Sequence, residues 1–124
     1  MKEVRLYKKG AMHSLRVRIA DSFLHRFLGL MGRRLLPENE GLLITPCNSV
    51  HMCFMRFSID VVYLVPELEG YRIVKIVTNL QPWLGLSACW KAKCTLEMAA
   101  GSVAKYNLKK DDILIFNNFF YTRL

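Results

Sequence analysis

The 124-residue chain has no apolar run approaching the about eighteen residues of a membrane-spanning helix. Its opening, MKEVRLYKKG, alternates polar with apolar instead of placing an apolar block after a charged start, so no secretory leader is expected. Cysteine is sparse, at Cys47, Cys53, Cys89 and Cys94, which is not a disulfide framework. These absences together point to the reducing cytoplasm. The chain lacks a CxxC pair, an HExxH helix, a glycine-rich phosphate loop and any helix-turn-helix, zinc-finger or RNA-recognition spacing. Acid is also in short supply. Ten acidic side chains face eighteen basic ones, a formal charge of +8.

What is present is enough apolar matter for one folded unit. The hydrophobic fraction is 52% and the charged fraction 23%, as in an ordinary packed domain. The positive charge is uneven. Residues 1–40 carry nine basic and four acidic side chains, and residues 71–124 carry eight and three. The centre, 41–70, has Arg56 alone against Asp60, Glu67 and Glu69. Basic flanks attract anions such as nucleic acid, acidic lipid or a phosphorylated small molecule, and they also serve plain solubility.

Two alternating runs around Val4–Lys8 and Leu15–Ile19, separated by Gly10, predict an antiparallel hairpin with a basic wet face. Phe23, Leu24, Phe27, Leu28 and Met31 then repeat at three and four, which predicts a short helix over 22–31 capped by Asp21 and stopped by Gly32. Strands follow at 41–45, 49–55, 59–65 and 71–78, with a long loop over 79–89. Residues 91–98 alternate cleanly: Ala92, Cys94, Leu96 and Met98 on one face, Lys91, Lys93, Thr95 and Glu97 on the other. A helical turn at 102–107 precedes a last strand at 113–116. The fold expected is α+β and mainly β, a small antiparallel-rich barrel-like or two-sheet domain with one or two short helices. Residues 1–116 form that domain, and 117–124 form an aromatic tail in which Phe119, Phe120 and Tyr121 offer a surface for self-association.

Chemistry concentrates in Gly41 to Val65, where Cys47, His51, Cys53 and Asp60 fall close together. On a strand over 49–55, Ser49, His51, Cys53 and Met55 share a face, while Val50, Met52 and Phe54 turn to the core. His51 and Cys53 would stand about 6.6–7 Å apart at their roots, near enough to share a metal, with Cys47 joining if the chain bends at Pro46. The missing fourth ligand favours a hydrogen-bonded histidine over a metal site, and no cofactor is expected. A thiolate pair with His51 would need Asp60 to orient it, yet neighbours on one flat strand are not aimed at a common atom. Asp60 among aliphatic residues needs hydrogen-bond partners, such as backbone amides in a turn. Glu97 is expected outward beside Lys93, and Trp83 after Pro82 is either a stacking residue or a loop anchor.

The segments GLMGR (29–33), EGLLITPCNSVHMCFMRFSIDVVYL (40–64), LQPW (80–83), LEMAAG (96–101) and NLKKDDIL (107–114) stand in an order that resembles the prokaryotic family known as domain of unknown function 192. The resemblance covers about residues 2–116. It implies a small, mostly β fold with no established activity, and signature positions at His51, Met55, Asp60, Trp83, Glu97 and Gly101. Here Met52 and Cys53 replace a threonine and an aromatic, Leu84 replaces an arginine, and Asp111 replaces a glycine.

Three functions follow as expectations. The first is a non-catalytic module that binds a small molecule or a protein partner in a shallow pocket walled by His51, Met55, Asp60, Trp83 and Glu97. The second is a hydrolase-like or metal-dependent enzyme using His51 with Asp60 or Glu97, for which Cys47, His51 and Cys53 are the metal-ligand candidates. The third is a basic nucleic-acid-associated protein.

Overall fold

The computed structural model describes residues 2–11, 14–20 and 36–117. The hairpin is present. Strand β1 (Lys2–Lys8) pairs antiparallel with β2 (Ser14–Ala20), with Val4 opposite Val17 and Leu6 opposite Leu15. These four side chains are buried while Arg16 and Arg18 face solvent, so the alternation separates a dry face from a basic one. The helix expected over 22–31 and residues 118–124 of the aromatic tail lie outside the described residues.

Strand β3 (Glu40–Ile44) lies parallel to β2 and antiparallel to β8 (Cys94–Ala99). Strand β5 (Ile59–Pro66) pairs with β8 and with β6 (Gly70–Leu80), and β9 (Ile113–Asn117) joins β6 to β1. The seven strands close in the order β1-β2-β3-β8-β5-β6-β9. A separate two-stranded sheet is made by β4 (Ser49–His51) and β7 (Leu86–Ala88). A short helix, α1 (Ser102–Lys105), follows β8. The domain is therefore mainly β and barrel-like, as the pattern of short strands implied, and β7 of the second sheet lies within the expected long loop.

Two cores explain why β5 is almost continuously apolar. Val62 and Leu64 point into the barrel with Leu6, Val17, Leu43, Leu96 and Met98. Ile59, Val61 and Tyr63 point outward and are covered with Leu42, Ile44, Val50 and Met52 in a second cluster. A strand buried on both faces reads as an apolar run instead of an alternation.

The same burial corrects the reading of 91–98. The strand begins only at Cys94, because the ladder with β5 ends at the pair Leu64–Cys94 and the chain turns at Ala92, whose amide donates to Cys89 O at 2.9 Å. Lys91 and Lys93 lie outside it and are exposed. Thr95 and Glu97, expected in water, are buried on the outer wall of the barrel. The polar half of the alternation is thus a second dry face.

Candidate functional site

Strand β4 is three residues long instead of the seven expected. Its ladder with β7 sets Ser49 opposite Ala88, Val50 opposite Ser87 and His51 opposite Leu86. Beyond His51 the Met52 amide donates to Gly85 O at 3.0 Å, and Met52 O accepts from both Trp83 N (2.7 Å) and Met55 N (3.1 Å). Two donors on one carbonyl fold the chain over. Phe54 completes the turn with φ 64°, and Trp83 on the opposing loop has φ 65°. A bulky residue in the left-handed region costs about 1–3 kcal/mol. Gly85 lets the two loops meet: a Cβ there would stand 2.6 Å from Gln81 O and 2.7 Å from Met52 Cγ.

The turn reverses the expected parity. Val50 and Met52 point inward and His51 outward, as anticipated. Past Met52 the alternation breaks, so Met55 is buried in the second core and does not share the His51 face. Phe54, expected in the core, is exposed and meets Trp83 edge-to-face with ring centroids 5.1 Å apart. His51 and Trp83 therefore do come to one exposed end of the molecule, joined through Met52.

Asp60 does not reach that end. It is buried beneath α1, where Oδ1 accepts from Asn79 N (2.9 Å) and Oδ2 accepts from Gly101 N (3.1 Å) and Val103 N (2.9 Å). Gly101, with φ +94°, is the N-cap residue of α1, so Asp60 caps that turn from another strand. The expectation of backbone-amide partners for Asp60 holds.

Glu97 is 6% exposed, set in register between Leu42 of β3 and Val61 of β5. Its expected pairing with Lys93 is absent: among the described residues no ion pair or hydrogen bond reaches its carboxylate. Burial alone pushes that carboxyl up to about 7. Nearby, the hydroxyls of Tyr63 and Ser87 are buried. Burial raises the Tyr63 phenol, the Ser87 hydroxyl pulls it back, and Cys47, Cys89 and Glu97 raise it further. These groups collect between the barrel wall and the β4–β7 sheet. A tyrosine breaking the aliphatic run IDVVYLV was the one sequence signal for them.

The cysteines are all free thiols. Cys47 donates its thiol to Ser49 O at 3.2 Å, Cys94 sits in the barrel core, and Cys53 is exposed. Among the described residues no group of three His, Cys, Asp or Glu side chains is placed to hold a metal. An apolar cavity of about 220 Å³ opens elsewhere, at the barrel mouth near Leu6, Leu15, Leu96, Leu108 and Leu114. A shallow depression of about 280 Å³, lined by Pro46, Cys47, Asn48, Trp90, Ala92 and Lys93, adjoins the β4–β7 sheet.

The fold and these placements can be set against known proteins. The model of DUF192, described as Uncharacterized ACR, matches residues 4–116. The chain belongs to the DUF192 family. A relative from Pyrococcus furiosus, UPF0127 protein PF1050, is 34% identical over 114 residues, covering 88% of this chain and 93% of that one. UPF0127 protein PH1112 from Pyrococcus horikoshii is 43% identical over 72 residues, 54% of this chain and 57% of its own. A crystal structure from Sinorhizobium meliloti, provisionally described as a transcription regulator, superposes with TM-score 0.81 at 22% identity, covering 93% of this chain and 94% of that one. A Novosphingobium aromaticivorans protein of unknown function gives TM-score 0.75 at 21% identity over 90% of this chain and 82% of its own. At those identities the two structures speak for the DUF192 fold alone.

Proposed function

We propose that this DUF192 protein is a non-catalytic binding module that takes a small molecule or a partner on the outward face of the β4–β7 sheet, around His51, Phe54 and Trp83. The observation that carries this reading is the Phe54–Trp83 pair. Two large rings are held in water by a costly backbone geometry, and strain of that kind accumulates at ligand clamps. The depression at the Trp90 end extends the same face.

The enzymatic alternative has weaker support. Both Asp60 oxygens are taken up by main-chain amides, and Glu97 is enclosed between aliphatic neighbours, so neither carboxylate is free to serve an exposed His51. A thermal-shift screen of small metabolites against wild type, His51→Ala and Trp83→Ala tests the reading. The expected result is a hit that stabilises wild type and loses its effect in both variants. Hits that shift all three proteins equally would place binding elsewhere, as at the barrel mouth, and overturn it.

A further inference from the structure

Six large hydrophobic side chains are exposed among the described residues, and five of them, Phe54, Trp83, Leu84, Leu86 and Trp90, come from two segments, 46–58 and 79–93. Leu84 is 91% exposed, Leu86 78% and Trp90 81%. A patch of that kind on a folded domain marks an interaction surface. The same two segments contain no acidic residue, and they carry Arg56, Lys91 and Lys93, all exposed. The Lys91 ammonium stands 5.7 Å over the Trp90 ring. We infer that the outward face of the β4–β7 sheet docks peripherally on an anionic lipid surface, the apolar tips entering the headgroup boundary and the basic side chains meeting lipid phosphates.

This assignment rests on the reading that the face binds, and it names the partner. Apolar tips above a cationic rim are the two components that attach a protein to a membrane surface without spanning it. No helix among the described residues is long and apolar enough to cross a membrane. Aromatic and basic residues together would also suit single-stranded nucleic acid, where rings stack on bases. The leucines decide between them. Leu84 and Leu86 offer no ring to stack, whereas both partition into an acyl boundary.

Co-sedimentation with vesicles of phosphatidylcholine, alone or with about 30 mol% phosphatidylglycerol, tests the inference at low and moderate salt. The anionic vesicles are expected to bind wild type, more weakly as salt rises, and the neutral vesicles to bind it far less. Replacing Lys91 and Lys93 by glutamine should weaken anionic binding about 30-fold. Leu84→Ser with Leu86→Ser should abolish insertion while leaving the melting temperature unchanged. Equal binding to both vesicle types, or to neither, would overturn the lipid assignment. So would a mixed-sequence single-stranded oligonucleotide that binds through Trp83 while anionic vesicles are bound no better than neutral ones. If the vesicles fail while the metabolite screen still gives hits lost in His51→Ala and Trp83→Ala, the binding face stands and its membrane partner does not.

Discussion

Two buried carboxylates show how the same functional group serves opposite ends. Asp60 sits among donors, and its three backbone amides tie β5 to the end of β6 and to the start of α1. Asp60→Ala should strand those amides and lower stability by about 3 kcal/mol or more, read from urea denaturation. Glu97 has only burial around it. Its folded pKa of about 7 lies above the ordinary 4.5, so between those values the folded state holds a proton that the unfolded chain has released. Stability from this group is therefore intact below about pH 4.5 and falls as pH rises through 7, by about 3 kcal/mol in all. Glu97→Gln should flatten that slope, matching wild type near pH 4 and exceeding it at pH 8. An unchanged slope in the variant would show that Glu97 is ionised and compensated in the fold.

At the scale of the element, the turn after His51 makes the surface. The outward histidine was legible because Val50 and Met52 are apolar on either side of it. The next three residues were not, since strand parity presumes an unbroken ladder, and here one carbonyl, that of Met52, gathers two amides and ends it. Phe54 carries no sign in its identity that it sits at φ 64°, because glycine or asparagine is the usual occupant. Phe54→Gly relieves the strain and should leave stability within about 1 kcal/mol of wild type, while removing the ring that meets Trp83. Met52→Ala, one turn residue inward, should cost about 2–5 kcal/mol as a core truncation. Chemical denaturation of both variants checks the contrast.

The molecule as a whole is a closed barrel with a second small core fastened outside it, and β3 and β5 supply side chains to both. Its mainly β character was readable from short apolar runs broken by Gly, Pro and Asn. The parallel alignment of β2 with β3 was not, because it depends on a connection whose path local pattern does not encode. The double burial of β8 was hidden for a related reason. Lys91 and Lys93 extended an apparent wet face into Thr95 and Glu97, which another part of the chain covers. The exposed apolar side chains followed the same rule: Leu84 and Leu86 lay in the expected loop 79–89 and Trp90 just beyond it, and apart from Trp83 only the lack of acid in 79–93 set that stretch apart. Since the chain has two tryptophans, Trp90→Phe leaves Trp83 as the sole reporter of this face. Acrylamide quenching of its emission is the most direct measurement. The account predicts ready quenching in the free protein and shielding when vesicles containing phosphatidylglycerol are added; a Trp83 already shielded with nothing bound would contradict it.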